Sequence, residues 1–338
     1  MKRYLGLALG LICSSTFLFL AVRGVDLRAT WHYMQAANAG WMIVIAFSTL
    51  GSEVVRTRRW HRLLSPIKDS PLLSLFRVVM IGQAGNQILP VRLGEPLRAF
   101  ALKRVEDVPF ATGLTTLVVE RTFDVIGILL FLGLSLVVIP VPPHVDPSFK
   151  TAVEVLAGGV MILVCCGIFV LLKRTLVASW VENLLKILPK GLACRVAPML
   201  HSLFDGLISM RSWRQVLALL AETIVLWICF GGAFAFGLLS MDLTISLDTN
   251  LILVAIVVLV SVGLFTMLPA AVGSLGTFQA GCIFGLAIFG IPKEQALGYS
   301  VLVHAIQFAT TTMVGGYFFV TGAFRIADLR KVRERSIE

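Results

Sequence analysis

Three charged residues at the end of an apolar stretch have types and a spacing that suit phosphate binding. Arg92, Glu95 and Arg98 follow one another at three-residue intervals in the stretch NQILPVRLGEPLRAFALKR (86–104). An arginine presents a planar fork of donors that matches phosphate oxygens, whereas a charge buried in apolar surroundings is costly unless it is paired or hydrated. The stretch is therefore interpreted either as a phosphate site or as interface anchors whose arginines reach out of the apolar layer.

A second charged group lies in the next apolar segment. Glu120 and Asp124 are four residues apart and share a helix face, and Arg121 and Asp124 are three apart and can pair. Only residues 125–139 beyond them are free of charge, fewer than the roughly 20 that span a bilayer. The group is therefore expected at the inner edge of a membrane or just inside it, where ionisable residues are candidates for a functional site. The alternative interpretation is an ion-pair lock between helices.

The composition predicts a polytopic membrane protein. The 338 residues are 57% hydrophobic and 14% charged, with a mean hydropathy of +0.90, whereas soluble domains are about a quarter charged. The six cysteines form no Cys-x-x-Cys motif and no Cys/His cluster, so no metal site and no cofactor is expected.

The apolar runs predict an all-α chain of about six spanning helices plus two re-entrant helical hairpins. The first run is taken as a transmembrane helix rather than a signal peptide, because no clean cleavage site follows it. Residues 173–214 are expected to form amphipathic helices on the membrane surface. The apolar or amphipathic segments are 4–22, 27–38, 40–55, 72–89, 96–104, 111–139, 152–172, 216–239, 251–268, 275–289 and 296–324.

The distribution of basic residues predicts that both termini are cytoplasmic. With that orientation the sequence RTRRWHR (56–62) acts as a cytoplasmic stop, and few of the 29 lysines and arginines lie outside. The residues left outside are Arg23, Arg28, Lys150 and Lys293. The net charge of +10 is thus explained by topology and by anionic inner-leaflet lipids rather than by nucleic acid.

The same topology predicts an inverted repeat within a single membrane domain, 1–338. The first repeat covers 1–140, the inverted second repeat covers 152–324, and 325–338 form a basic cytoplasmic tail. Each repeat contains a hairpin, whose tips read LPVRLG (89–94) and LPAAVG (268–273). In each tip a proline, Pro90 or Pro269, ends one helix, and a glycine, Gly94 or Gly273, permits the tight backbone that starts the next. The alternative is that both limbs of the second hairpin span the membrane fully.

Several of these motifs together resemble a known family. GNQILPVRLGEPLRAFAL, then VVERTFD, then LPAAVGSLGTFQ are similar to the transmembrane domain of the lysylphosphatidylglycerol synthases, also called flippase-like. The resemblance covers nearly the whole chain and implies translocation of a lipid between leaflets. Aminoacyl transfer is not implied, because the soluble synthase domain is expected to be absent. Gln279 stands where a glutamate is common in the family, so a carboxylate role does not carry over there.

The candidate binding residues come from both charged groups and from the hairpins. Arg92 and Glu95, together with Arg121, are expected to form a basic pocket that opens to the inner leaflet. The polar residues at the hairpins either cap the broken helices or contact the ligand; they are Asn86, Ser274, Thr277 and Gln279. The glycines expected to allow close helix approach are Gly82, Gly85, Gly273 and Gly276. The candidate substrate-binding residues are Arg92, Glu95, Arg98, Glu120, Arg121, Asp124 and Asn86; the tip residues are Pro90, Gly94, Pro269, Gly273, Gly276, Thr277 and Gln279.

The expected function is a flippase or transporter for an anionic phospholipid or a polyprenyl-phosphate-linked lipid. The expected location is the plasma (inner) membrane, and a homodimer or a separate lipid-modifying enzyme is the expected protein partner. One alternative is a membrane-embedded lipid transferase that uses Glu120 and Asp124 as acid and base or as metal ligands. Another is a scaffold for a separately encoded lipid synthase.

Overall fold

The chain forms helices throughout the part that the structure describes. The computed structural model describes residues 2–89, 93–138, 147–173, 176–177, 179–180, 213–241, 243, 250–268 and 272–322, and these contain no β-strand. The all-α class predicted from the sequence is therefore confirmed over these residues. The helices with defined bounds, numbered in chain order, are α1 Lys2–Val22, α2 Leu27–Gln35, α3 Ala39–Leu64, α4 Leu72–Ile88, α5 Gly94–Glu106, α6 Phe110–Val138, α7 Pro147–Leu172, α8 Trp213–Ser240, α9 Leu251–Thr266, α10 Thr277–Ala287 and α11 Lys293–Thr321.

Two compact units make up the fold. Unit 1 comprises Met1–Val55, Phe76–Ala101 and Leu226–Glu338, and unit 2 comprises Arg56–Leu75 and Leu102–Val225. The division does not follow the predicted repeats at 1–140 and 152–324, whose inverted relation stays a prediction.

Helices α4 and α5 form a hairpin in unit 1 whose backbones touch. A Cβ atom at Gly82 would lie 2.7 Å from Cβ of Arg98, and one at Gly94 would overlap the carbonyl oxygen of Gly82. Small residues allow this approach, as the sequence suggests for Gly82 and Gly85. Pro90 and Arg92, at the tip of this hairpin, lie outside the described residues.

Helices α9 and α10 form a second close hairpin in unit 1. A Cβ atom at Gly281 would lie 2.7 Å from Cα of Val262, and one at Gly285 would lie 3.0 Å from Cα of Val258. Gly276, which precedes α10, has φ +86° and packs against the backbone of Ser14 in α1, so a side chain there would be both strained and obstructed. Pro269 lies outside the described residues, and membrane re-entrance of either hairpin stays a prediction.

The first and last helices of unit 1 are joined by a lysine. The Nζ atom of Lys293, at the start of α11, donates to the carbonyl oxygens of Leu20 at 2.9 Å and Arg23 at 2.7 Å. These carbonyls belong to the C-terminal end of α1, which has few partners within its own helix. A cation at that end also complements the helix dipole.

Three of the described helices are long and apolar enough to cross a membrane: Ala39–Leu64, Trp213–Ser240 and Lys293–Thr321. Shorter apolar helices include Leu251–Thr266 and Thr277–Ala287. Several apolar helices fit a multi-pass membrane protein, as the sequence predicts. The number of spans and the orientation of the termini stay predictions.

Candidate functional site

The charged cluster of unit 2 is built on a ladder of arginines. Arg56, Arg59 and Arg62 lie at three-residue intervals in α3, a spacing that places them along one side of the helix. Arg56 is 6% exposed and Arg59 is 0% exposed. Burial at this level requires partners for the guanidinium groups.

The partners of the two buried arginines come from α6. The Nη2 atom of Arg59 lies 2.6 Å from Oδ1 of Asp124 and 3.2 Å from Oε1 of Glu120. The Nη1 atom of Arg56 lies 3.3 Å from the same Oε1 of Glu120. Glu120 is 0% exposed, so one fully buried carboxylate oxygen is shared by two arginines.

Helix α8 supplies further partners for the arginines of α3. The Nη1 atom of Arg59 donates to Oγ1 of Thr223 at 3.0 Å. One turn further along α3, Arg62 makes a forked contact with Glu222, with 2.8 Å from Nη2 to Oε1. The side-chain amide of Gln215 donates to the carbonyl oxygen of Arg62 at 2.9 Å. Unit 2 therefore contains three helices joined by ionic hydrogen bonds.

Arg121 forms the accessible edge of this cluster. Its side chain is 40% exposed, and its Nη1 atom lies 3.2 Å from Oδ2 of Asp124. Its Nη2 atom lies 3.7 Å from Oε1 of Glu120. The pairing of residues 121 and 124 suggested by their spacing is thus present, and Asp124 bridges an exposed arginine to the buried Arg59.

In the part of the cluster that the structure describes, three arginines, Arg56, Arg59 and Arg121, contact two carboxylates, Glu120 and Asp124. The Nε atom of Arg59 is buried and has no hydrogen-bond partner among the described residues, which is costly in a dry environment. Such a cluster can accept an anion by exchanging a carboxylate for a phosphate oxygen at the same guanidinium.

Arg56 and Arg59 were missed as site residues by the sequence interpretation. The sequence RTRRWHR predicts a stop after an apolar helix ending at residue 55, but α3 continues to Leu64. Arginine is a good helix former, and the contacts of Arg56 and Arg59 with α6 stabilise this part of the helix. The three-residue spacing of the arginines, together with carboxylates four apart in α6, is the signal that could have found them.

The candidate residues of the first hairpin lie in unit 1. Glu95 is half-buried and Arg98 is 3% exposed. The side-chain amide of Asn86 donates to Oε1 of Gln83 at 3.4 Å, and that of Gln83 donates to both carboxylate oxygens of Glu53, at 3.0 and 3.2 Å. Glu53, a 5% exposed carboxylate in α3, is a further residue that sequence reasoning missed. A pocket containing Arg92, Glu95 and Arg121 stays a prediction.

The candidate residues of the second hairpin act on the backbone at the start of α10. Oε1 of Gln279 accepts a hydrogen bond from the backbone N–H of Gly276 at 2.8 Å, and Oγ1 of Thr277 donates to the carbonyl oxygen of Ser274 at 3.0 Å. The amide nitrogen of Gln279 lies 3.1 Å from Nδ1 of His304. Gln279 therefore caps α10 and joins it to α11. Gly273, with φ +56°, turns the chain just before this cap.

Comparison with known proteins places the chain in a family. The family model described as "Lysylphosphatidylglycerol synthase TM region" matches residues 5–315. The chain is 22% identical over 327 residues to UPF0104 membrane protein MJ1595 of Methanocaldococcus jannaschii, covering 90% of this chain and 91% of that protein. It is 24% identical over 285 residues to a UPF0104 membrane protein of Methanothermobacter thermautotrophicus, covering 78% of each.

A third relative is considerably longer than the region that matches it. The chain is 26% identical over 267 residues to a protein of Haloferax volcanii named Glycosyltransferase AglD. The match covers 70% of this chain and 41% of AglD. The chain thus spans about two-fifths of the length of that relative.

Proposed function

Because the chain belongs to the family of the lysylphosphatidylglycerol synthase transmembrane region, we propose that it moves an anionic lipid between membrane leaflets. The lipid is an anionic phospholipid or a polyprenyl-phosphate-linked lipid, and its phosphate binds at the arginine cluster of unit 2. The membrane is the plasma (inner) membrane, with both termini in the cytoplasm. The protein partner is a second copy of the chain or a separate lipid-modifying enzyme.

The observation that supports this proposal is the sharing of two carboxylates by three arginines. Glu120 and Asp124 pair with Arg56, Arg59 and Arg121, which lowers the cost of burying these charges. An arriving phosphate supplies oxygens of the same geometry to Arg121, the arginine at the exposed edge. Asp124 then remains paired with Arg59, so neither carboxylate is left alone in the protein interior.

Partner exchange of this kind favours reversible binding over covalent chemistry. Both carboxylates of the cluster are held by arginines at 2.6–3.3 Å. A general base must lie within hydrogen-bond reach of the proton that it abstracts, whereas these two carboxylates are already paired with guanidinium groups. A binding role therefore suits Glu120 and Asp124 better than acid–base catalysis.

A second candidate function is the processing of lipid-linked sugars. It is favoured by one observation, the similarity to a relative named Glycosyltransferase AglD. In that function the membrane region binds the lipid carrier while group transfer occurs on it. Mass spectrometry of the lipid after incubation with cell extract separates the two: a new covalent product that depends on Glu120 favours group transfer.

Transport in liposomes tests the proposed function. Purified protein should move a fluorescent anionic phospholipid between leaflets, and Arg121→Gln should reduce the rate about tenfold or more, because charge-assisted hydrogen bonds contribute about 1.5–3 kcal/mol. Arg121→Lys should restore part of the rate, since a point charge replaces a fork.

The matched control is Arg58→Gln. Arg58 lies in α3 and is 70% exposed, with its Nε atom 3.5 Å from Glu222, so its loss removes one positive charge without changing the contacts of Glu120 and Asp124. This variant should transport as the wild type does. Equal rates for Arg121→Gln and the wild type would contradict the proposal and leave Arg121 as an interface anchor.

A further inference from the structure

Unit 1 contains a cavity that the charged cluster does not use. Its volume is about 520 Å³, within the range of ligand sites in proteins. Its walls come from α1, α2, the start of α10 and α11. All of the lining residues belong to unit 1.

The walls of the cavity are almost entirely apolar. Helix α1 contributes Leu18 and Val22, and α11 contributes Val301, Ala305 and Phe308. An apolar cavity of this kind favours apolar ligands, because it offers no hydrogen bonds to replace those of water. Its contents are therefore selected by hydrophobic burial.

The polar side chains on the walls already have partners within the protein. Thr30 donates to the carbonyl oxygen of Asp26 at 2.9 Å. Gln279 bonds the backbone of Gly276 at 2.8 Å and lies 3.1 Å from His304. The His304 ring also stacks on Phe278, with 4.4 Å between centroids. A phosphate or sugar headgroup entering this cavity would lose its water and would have to break these contacts.

Exposed apolar side chains line the opening of the cavity, as expected for an opening that faces a membrane. Leu27 and Trp31 of α2 and Leu275 before α10 line the cavity and are 59%, 60% and 46% exposed. Tryptophan is enriched where hydrocarbon meets lipid headgroups. An opening lined by exposed apolar side chains admits a chain from the lipid phase and leaves its polar end outside.

We propose that this cavity binds one hydrocarbon chain of a membrane lipid, without recognition of the headgroup. The site differs from the proposed phosphate site, because it lies in the other unit and its described lining residues include no lysine or arginine. It therefore accepts a neutral lipid as readily as an anionic one. That difference in headgroup dependence separates the two sites experimentally.

Native mass spectrometry of the delipidated full chain, titrated with dioleoylglycerol, tests the proposal. Dioleoylglycerol carries no phosphate, so binding to the arginines does not contribute. One molecule should bind, and Ala305→Trp should lower its occupancy about tenfold, because losing the burial of roughly two methylene groups has that effect. Val320→Trp is the matched control, because Val320 lies in α11 and is 77% exposed and does not line the cavity.

Two further variants and a photolabelling experiment also test the proposed lipid site. Val301→Phe fills the same space if Ala305→Trp does not fold, and a diacylglycerol with a diazirine on its acyl chain should label α1, α2 or α11 of the unchanged protein around Leu18, Met34 or Val301. Arg121→Gln, at the exposed edge of the charged cluster, should leave dioleoylglycerol binding unchanged even where lipid transport is reduced. The proposal is overturned if the folded wild type binds no dioleoylglycerol, if both filled variants bind it as the wild type does, or if the label lies away from the cavity. Loss of binding in a folded Arg121→Gln protein would likewise overturn it, because the lipid would then depend on the charged cluster.

Discussion

Arg59 links two helices to α3 in the charged cluster. It is fully buried and contacts Glu120 and Asp124 of α6 through Nη2 and Thr223 of α8 through Nη1. Removing one member of a buried ion pair leaves an uncompensated charge. The Arg59→Gln variant should therefore lose about 3 kcal/mol or more of unfolding free energy, measured by denaturation in mild detergent.

Two controls separate the loss of the pair from a general effect of charge. Arg58→Gln, at an exposed position of the same helix, should change the unfolding free energy by less than about 0.5 kcal/mol. Adding Glu120→Gln to Arg59→Gln should recover part of the loss, because the buried carboxylate is then neutral. An Arg59→Gln protein as stable as the wild type would show that the cluster does not hold the helices together.

The spacing of the charged residues predicts which of them share a helix face, but it does not predict which of them are buried. The four-residue spacing of Glu120 and Asp124 correctly places both on one face, and both contact Arg59. Arg56 and Arg59 were assigned to a cytoplasmic stop, because a run of arginines after an apolar segment looks the same whether it is solvated or buried. Only the position of α6 and α8 distinguishes the two cases, and that position is a tertiary property.

At the scale of elements, the α4–α5 hairpin depends on glycine at residue 94. A Cβ atom there would overlap the carbonyl oxygen of Gly82 and the backbone nitrogen of Asn86. Gly94→Ala should therefore separate the two helices and cost about 1–3 kcal/mol, measured as a fall in the denaturation midpoint in detergent.

Gly158→Ala in α7 is the matched control, since a Cβ atom at Gly158 meets nothing within 4 Å. This substitution should be neutral or stabilising, because alanine has the higher helix propensity. If both substitutions destabilise the protein equally, the loss at residue 94 comes from replacing a helical glycine as such. The close contact between residue 94 and Gly82 would then not be its cause.

Helix bounds follow closely from the apolar runs where a run ends at a turn. The run 72–89 corresponds to α4, Leu72–Ile88, and the run 251–268 corresponds to α9, Leu251–Thr266. Helix α3 is the exception, because the run ends at residue 55 and the helix at Leu64. Hydropathy reports the polarity of each side chain but not whether a charged side chain is paired with another. A helix whose charges are neutralised by neighbours can therefore extend beyond its apolar run.

At the scale of the whole molecule, the distribution of basic residues predicts one topology. Asp69 and Lys103 flank the first hairpin at exposed positions, and if the hairpin is re-entrant they face the same side. Cysteines at these two positions should react with an impermeant thiol reagent from the cytoplasmic side only. A cysteine at Arg28, predicted outside, is the control and should react from the opposite side. Labelling of the Asp69 and Lys103 positions from opposite sides would remove the hairpin from the topology and the inverted repeat with it.

The hydrogen bonds from Lys293 to the end of α1 can form only late in the synthesis of the chain. The ribosome completes α1 first, yet the lysine that closes the carbonyls of Leu20 and Arg23 lies 273 and 270 residues further along the chain. At translation rates of about 5–20 residues per second, that separation corresponds to roughly 14–54 s. During this interval α1 lacks the hydrogen bonds from Lys293, because that part of the chain has not yet been synthesised. The nascent helix therefore depends on the insertion machinery for its stability.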